Sequence, residues 1–330
     1  MRGSAAVPRP ARTVIPIREI VELACRAPSV HNTQPWLWHA EGSRLWLYAD
    51  RRRQLHHADP DARTLVLSCG SALHHAQVAA AGLGWQVTVE RCPDAGDPDL
   101  LATLDLAAGR IVPAAEERLG ALQSRSTDRR RFTSWPLPAE RLDRLSEQAA
   151  EWGAMVVPLV EPGLRLHVDH VLRRADEIQR GDQDYAAEAA PWIAVEGPEG
   201  VPVSSIPEVN PYRPAMPSRY QQGGLPDPQG EPTEFVDGLV AICTAEDDRL
   251  SWLQAGETLS ALWLATIQHG LSLLPLSQVT EVPETREELR QLLGGTASPQ
   301  LLARLGWQEM TRGDLPRTPR RPVEEVLRFG

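Results

Sequence analysis

Two polar stretches in this 330-residue chain carry side chains suited to holding a planar, charged ligand. The first is Ala27-Pro28-Ser29-Val30-His31-Asn32-Thr33-Gln34-Pro35-Trp36, which sets a hydroxyl and two carboxamides between prolines. Proline fixes φ, so such a loop presents its donors and acceptors in a stiff frame. The second is Arg125-Ser126-Thr127-Asp128-Arg129-Arg130-Arg131-Phe132, with four arginines within seven residues. Guanidiniums so close repel one another unless anions lie between them or water solvates them. A charge-assisted hydrogen bond to a phosphate contributes about 1.5–3 kcal/mol, enough to offset that repulsion.

Composition narrows the chemistry. All 34 basic residues are arginine, which excludes Schiff-base and pyridoxal phosphate catalysis and the lysine of a P-loop. A phosphate must be held by Arg forks, helix N-termini or hydroxyls. A net charge of −10 argues against a nucleic-acid partner. Cys25, Cys69, Cys92 and Cys243 show no CxxC spacing and read as reduced structural thiols. Residues 1–12 lack the apolar core of a signal peptide, and no apolar run approaches the roughly 20 residues that cross a bilayer. The expectation is a soluble, cytoplasmic protein without membrane contact.

The elements that must position the two stretches follow from periodicity. Ile17, Ile20, Val21, Ala24 and Ala27 share one helical face, which Pro28 ends. Segments 36–40 and 44–49 read as a hairpin about Glu41-Gly42-Ser43. A long apolar helix over 62–83 leads into a strand over 84–91. Helices are predicted over 114–124 and 138–151, a strand over 154–160 and a polar helix over 164–190. A second long apolar helix covers 249–269, followed by a strand over 271–276. Displaced by 186 residues, Gly70, Leu73, Ala76, Ala79 and Gly84 meet Gly256, Leu259, Leu262, Ala265 and Gly270. This pattern suggests an internal duplication, two similar α+β halves about a twofold axis.

Residues 196–234 contain nine prolines together with Tyr212, Arg213, Arg219, Tyr220 and Gly223-Gly224. A loop this long is a lid, a binding loop or a surface excursion. His56-His57, His74-His75 and the His167/His170 pair lack the companions of a metal site. Arg51-Arg52-Arg53 reads as a solvated turn or a contact for the extra phosphate of NADPH. No G-x-G-x-x-G is present, which argues against a Rossmann dinucleotide site.

Taken together, the Pro28–Trp36 loop and the Arg125–Arg129 segment resemble those of flavin mononucleotide (FMN) enzymes of the nitroreductase family. The resemblance implies that Pro28, Ser29, Val30, Asn32 and Gln34 lie against FMN. It implies that Arg125, Ser126, Thr127 and Arg129 hold its phosphate, ribityl chain and ring edge, with Ser126 where many relatives carry a second Arg. Arg129 would be the cation beside the N1/C2 edge, where reduction places negative charge. Either Arg320 or Arg321 would meet the phosphate, and Pro275, Leu276 and Ser277 would border the ring.

Each motif occurs once, which suffices for one composite site per chain and resembles the duplicated, single-chain Acg-like branch from actinobacteria. The implied fold is α+β, nitroreductase-like, with two similar halves forming an intramolecular pseudo-dimer. These are residues 1–112 and 113–330, the second carrying the proline-rich lid insertion at about 196–234. The implied activity passes electrons from NADH or NADPH through FMN to a nitroaromatic, quinone or similar small acceptor. Two alternatives are a flavin-sequestering or storage protein with a closed lid, and an FMN-dependent oxidase in a biosynthetic pathway. No side chain is singled out as catalytic, because solvent or substrate can supply protons. The chain would be a monomeric pseudo-dimer or a homodimer.

Overall fold

The computed structural model describes residues 14–208, 219–220, 223–226, 237–308, 315 and 317–330. In chain order, α1 (Ile17–Ala24) leads to β1 (Trp36–Glu41), β2 (Arg44–Ala49), α2 (Arg63–Gly82), β3 (Trp85–Arg91) and β4 (Leu100–Ala108). Next come α3 (Pro113–Ser124), α4 (Ala139–Ala150), β5 (Met155–Pro158), α5 (Pro162–Gly181) and α6 (Gln183–Ala189). Then β6 (Gly238–Thr244), α7 (Arg249–Gln268), β7 (Ser272–Leu276), α8 (Gln278–Glu281) and α9 (Pro283–Leu292) follow. The chain closes with β8 (Ser298–Gly306), α10 (Val323–Val326) and β9 (Leu327–Phe329).

The strands form two sheets, ordered β3-β4-β2-β1-β9 and β5-β6-β8-β7. Read from opposite ends, the second repeats the first four strands of the other: β5, β6, β7 and β8 take the places of β1, β2, β3 and β4. All six pairings within these two sets are antiparallel. The β2–β4 and β6–β8 ladders even share an irregularity, at Leu47/Tyr48 and Ile242/Cys243.

Helices α2 and α7 pack against each other between the sheets, and their glycines explain how closely. A methyl group at Gly70 would lie 2.0 Å from the Leu253 carbonyl oxygen, and one at Gly256 would lie 1.9 Å from that of Leu67. Leu67 and Leu253 stand three residues before the two glycines, so the contact is reciprocal. At the same 186-residue displacement His74 Nδ1 meets Ser260 Oγ at 2.7 Å. The matched pair Gly70 and Gly256 seen in the sequence is therefore the contact on which the two helices cross.

The expected helices and hairpin form within a few residues of their predicted bounds, but four strands carried no usable pattern. Strand β6 is buried along its whole length. Val240 and Ile242 pack with α7 while Leu239, Ala241 and Cys243 pack with α5, so the alternation of a half-exposed strand is missing. Strands β4 and β8 pair through the same central ladders, and β9 is only three residues long. The polar helix predicted over 164–190 is split at Asp182, whose carboxylate accepts from the Asp184 and Tyr185 amides and starts α6.

Strand β9 adds parallel to β1, with Trp38 opposite Leu327. This return of the C-terminus to the first sheet draws residues 317–322 past the Pro28–Pro35 loop. Of the proline-rich stretch, Tyr212, Arg213 and the prolines at 211, 214, 217, 228 and 232 lie outside the described residues.

Candidate functional site

The Pro28–Pro35 loop is held in an unusual backbone conformation by its own side chains. His31, Asn32 and Gln34 all have positive φ, at 49°, 56° and 50°. L-residues in this region are strained, and a run of them persists only where surroundings over-determine it. Asn32 Nδ2 donates to the carbonyls of Gly200 at 2.9 Å and Pro319 at 3.2 Å. Gln34 Nε2 donates to Pro198 O at 2.8 Å, and Gln34 Oε1 accepts from the Arg321 amide at 2.9 Å. Ser29 Oγ accepts from the Gln34 amide at 3.0 Å. The loop is thus clamped between residues 198–200 of the proline-rich stretch and the C-terminal segment.

At the other end of this loop the last carbonyls after α1 face a cluster of guanidiniums. Arg125 Nη2 donates to Arg26 O at 2.9 Å. Arg320 donates to Cys25 O at 2.9 Å and to Arg26 O and Ala27 O at 3.2 Å. A helix C-terminus carries partial negative charge, which suits cations there. It does not neutralise them. Arg125 lies over the Trp263 ring at 4.6 Å, is buried, and leaves Nε and Nη1 without any hydrogen-bond partner. Burial, then Arg320, Arg26 and Arg129, push its pKa well below the ordinary arginine value. None of these four arginines meets a carboxylate among the described residues.

A third contribution comes from the proline-rich stretch itself. Arg219 donates to Ser277 Oγ at 3.0 Å, to Glu281 Oε1 at 2.9 Å and to His31 Nε2 at 3.1 Å. Guanidinium only donates, so His31 Nε2 accepts and the ring hydrogen is on Nδ1. That Nδ1 is buried and unpartnered. Burial, then Arg219, lower the His31 pKa to about 3, so the ring is neutral. Burial opposes ionisation of Glu281, but Arg219 prevails and holds its pKa at about 2. Tyr220 meets the His31 ring edge-on at 6.2 Å, and Arg129 lies over the Tyr220 ring at 4.9 Å.

The residues singled out in the sequence therefore fall into three groups. Arg125, Arg129 and Arg320 gather with Arg26 at the end of α1, joined to His31 through Arg219 and Tyr220. Arg321 instead points toward Asp50, Glu199 and Glu325, at 3.9, 3.6 and 3.5 Å, so Arg320 is the C-terminal arginine of the cluster. Asn32, Gln34 and Ser29 stand at the site, but their side chains are committed to the backbone of their own and neighbouring segments. Ser277 is committed to Arg219, beyond the end of β7 that carries Pro275 and Leu276. Pro28, Val30, Ser126 and Thr127 are half-buried.

The arginine run also contains its own neutralisation. Asp128 receives Arg130 Nε and Nη2 at 2.9 and 2.8 Å, so Arg130 is not among the uncompensated cations. Arg51, Arg52 and Arg53 pair with Asp99, Asp50 and Glu199 rather than standing as a solvated turn or a ready phosphate contact. Arg26, His31 and Glu281 were missed as site residues. Arg26 and His31 flank the proline of the loop motif, whereas nothing in the sequence marks Glu281. Among the described residues no three His, Cys, Asp or Glu side chains converge as metal ligands, and no helix is long and apolar enough to cross a membrane.

This geometry gains a context from relatives. No family model matches the chain. Over 319 residues it is 36% identical to the Mycobacterium tuberculosis protein named "Putative NAD(P)H nitroreductase Rv3131", covering 95% of this chain and 91% of that one. The chain belongs to the NAD(P)H nitroreductase family. The M. tuberculosis member named acg is 32% identical over 317 residues, covering 94% of this chain and 95% of its own. Among solved structures, the FMN-dependent nitroreductase NfnB from Mycobacterium smegmatis, in complex with NADPH, is 14% identical with a TM-score of 0.42. That match covers 66% of this chain and 99% of NfnB. A nitroreductase with bound FMN from Desulfitobacterium hafniense is 12% identical, also with a TM-score of 0.42, covering 65% of this chain and 98% of its own.

Proposed function

We propose that this family member is an FMN-dependent NAD(P)H oxidoreductase with one flavin site per chain. The site would lie between the Pro28–Pro35 loop and the Arg125–Arg129 segment. The observation that carries this reading is the set of buried donors lacking acceptors, Arg125 Nε and Nη1 and His31 Nδ1. Each unsatisfied buried group costs about 1–3 kcal/mol, and a phosphate and a carbonyl-rich ring are ligands that would satisfy them.

In this reading Arg125 and Arg320, with Arg26, bind the phosphate. Arg129 supplies positive charge at the ring edge, and the loop backbone packs along the ring. FMN, when bound, supplies two-electron chemistry from NADH or NADPH to a nitroaromatic, quinone or similar acceptor. Asn32 and Gln34 act by holding the strained loop, so their effect on the cofactor is through backbone groups. We further propose that residues 1–112 and 113–330 form the two halves of an intramolecular pseudo-dimer, with β9 the strand exchanged between them. An absorbance spectrum of the purified protein tests the reading directly. A flavin spectrum with one FMN per chain is expected, and a colourless protein that takes up no added FMN refutes it.

A second reading, flavin sequestration, is favoured by one observation. The Arg219–Glu281 ion pair anchors part of the proline-rich stretch over His31. Stopped-flow mixing with NADH and NADPH separates the readings, because rapid bleaching requires access to the ring and its absence fits a closed lid.

A further inference from the structure

The second half carries a different cavity where the first has its polar loop. Between α1 and β1 the chain spends eleven residues, 25–35, whereas the equivalent passage from α4 to β5 takes four, 151–154. Gly153 makes the short passage possible. Its φ is +101°, and a Cβ there would lie 2.7 Å from the Gln254 side chain. The space left beside this connection is a cavity of about 370 Å³, within the usual range for small-molecule sites.

Its lining has three parts. Ala261, Leu264 and Ala265 of α7 contribute apolar surface. Trp152 contributes an aromatic wall whose position is fixed, since it meets His74 edge-on at 4.2 Å and 88°, and His74 is tied to Ser260. The third part is charge. Arg118 and Glu151 both line the cavity, yet no ion pair joins them and neither has a hydrogen-bonding partner among the described residues. Arg91, the other cation of the lining, is already neutralised through two hydrogen bonds to Glu257 at 2.6 and 2.9 Å. One cation and one anion without partners among the described residues thus stand on the rim of a cavity whose walls combine this apolar and aromatic surface with the side chains of Gln148, Gln254 and Gln268.

We propose that this cavity is a binding site for a small zwitterion bearing an aromatic ring, of the aromatic α-amino acid class. The ring would pack on Trp152 and the α7 surface, the carboxylate would meet Arg118, and the ammonium would meet Glu151. Offset aromatic packing and a charge-assisted hydrogen bond at each end account for the selectivity expected. The site is independent of the flavin reading, because Arg118 lies within α3, about two helical turns before Arg125 at its C-terminal end, and takes no part in the arginine cluster.

Calorimetric titration of the intact protein with L-phenylalanine and L-tryptophan tests this. Saturable 1:1 binding is expected, with phenethylamine and 3-phenylpropionate each at least tenfold weaker. Arg118→Gln should weaken L-phenylalanine at least tenfold while leaving phenethylamine unchanged, and Glu151→Gln should weaken L-phenylalanine at least tenfold while leaving 3-phenylpropionate unchanged. Both side chains are exposed, so both variants should fold. Binding that is absent at millimolar ligand, that ignores both substitutions, or that perturbs the flavin spectrum without depending on Arg118 would overturn the proposal.

Discussion

The Pro28–Pro35 loop has arginines at both ends, and the two groups are treated in opposite ways. Arg53 donates to the Thr33 carbonyl at 2.9 Å and Arg321 to that of Gln34 at 3.4 Å, and around them Asp50, Glu199 and Glu325 supply carboxylates. At the other end Arg26, Arg125, Arg129 and Arg320 lean on carbonyls and aromatic faces and meet no carboxylate among the described residues. The first group is complete as protein structure. The second has charge and donors left over, and like charges buried together without counter-ions are costly. The difference separates arginines that fix the loop from the arginines proposed to bind the phosphate.

The sharpest way to break this comparison is to remove the leftover charge. Arg125→Ala combined with Arg129→Ala should yield folded protein that binds FMN about 10²–10⁴-fold more weakly, if each loses one charge-assisted bond of about 1.5–3 kcal/mol. Far-UV circular dichroism reports folding and absorbance reports flavin per chain. Full flavin retention would mean that the cluster serves only to cap α1.

A second substitution moves one arginine from the matched group to the unmatched. Glu281 is buried against Arg219 and held at about 2, below its ordinary 4.5. A depressed carboxyl contributes stability above 4.5 that is lost as pH falls toward 2. The shift corresponds to roughly 3 kcal/mol, as an order of magnitude. Glu281→Gln should therefore lower stability by about that amount at neutral pH and flatten the decline between pH 5 and 2. Equal pH profiles for the two proteins would show that Arg219 does not depend on this partner.

The matched group should behave as structure alone. Asp50 is 2% exposed and receives Arg52 at 2.7 Å, with Arg53 at 3.5 Å. Asp50→Asn is expected to lower stability by about 1–3 kcal/mol, read from chemical denaturation, while flavin content stays near that of the parent. A loss of flavin as complete as in the double-arginine variant would erase the distinction between the two ends of the loop.

How much of this was legible in the sequence depends on whether a residue's partner lies nearby in the chain. The α2 and α7 stripes, their matched glycines and the loop motif are local patterns, and each appears where expected. Strand β6 was invisible because it is buried on both faces. The partners of Asn32 and Gln34 were hidden for a related reason. Their carboxamides suit a ligand, but the carbonyls they reach belong to residues 198, 200 and 319, which only the folded chain brings close. The choice between Arg320 and Arg321 likewise rested largely on Asp50 and Glu199, both distant in sequence. Charge matching is a property of the fold, so the matched and unmatched arginines look alike in one dimension.

The smallest effect concerns another matched contact near this loop, where a histidine replaces arginine and the match becomes conditional. His57 Nε2 lies 2.7 Å from Asp182, and Glu188 accepts from the His57 and Ala58 amides at 2.9 Å, tethering this segment to α6. The Asp182 carboxylate raises the His57 pKa above its ordinary 6.5, and the Tyr185 amide and His57 lower that of Asp182 below 3.8. A raised histidine contributes fully below 6.5, and its share fades as pH rises through the folded value. Hydrogen exchange at the His57 and Ala58 amides, corrected for intrinsic rates, should show more protection at pH 5.5 than at pH 8.5. His57→Ala should remove that difference while leaving the Glu188 contacts in place. Equal protection at both pH values in the parent protein would assign the tether to Glu188 alone.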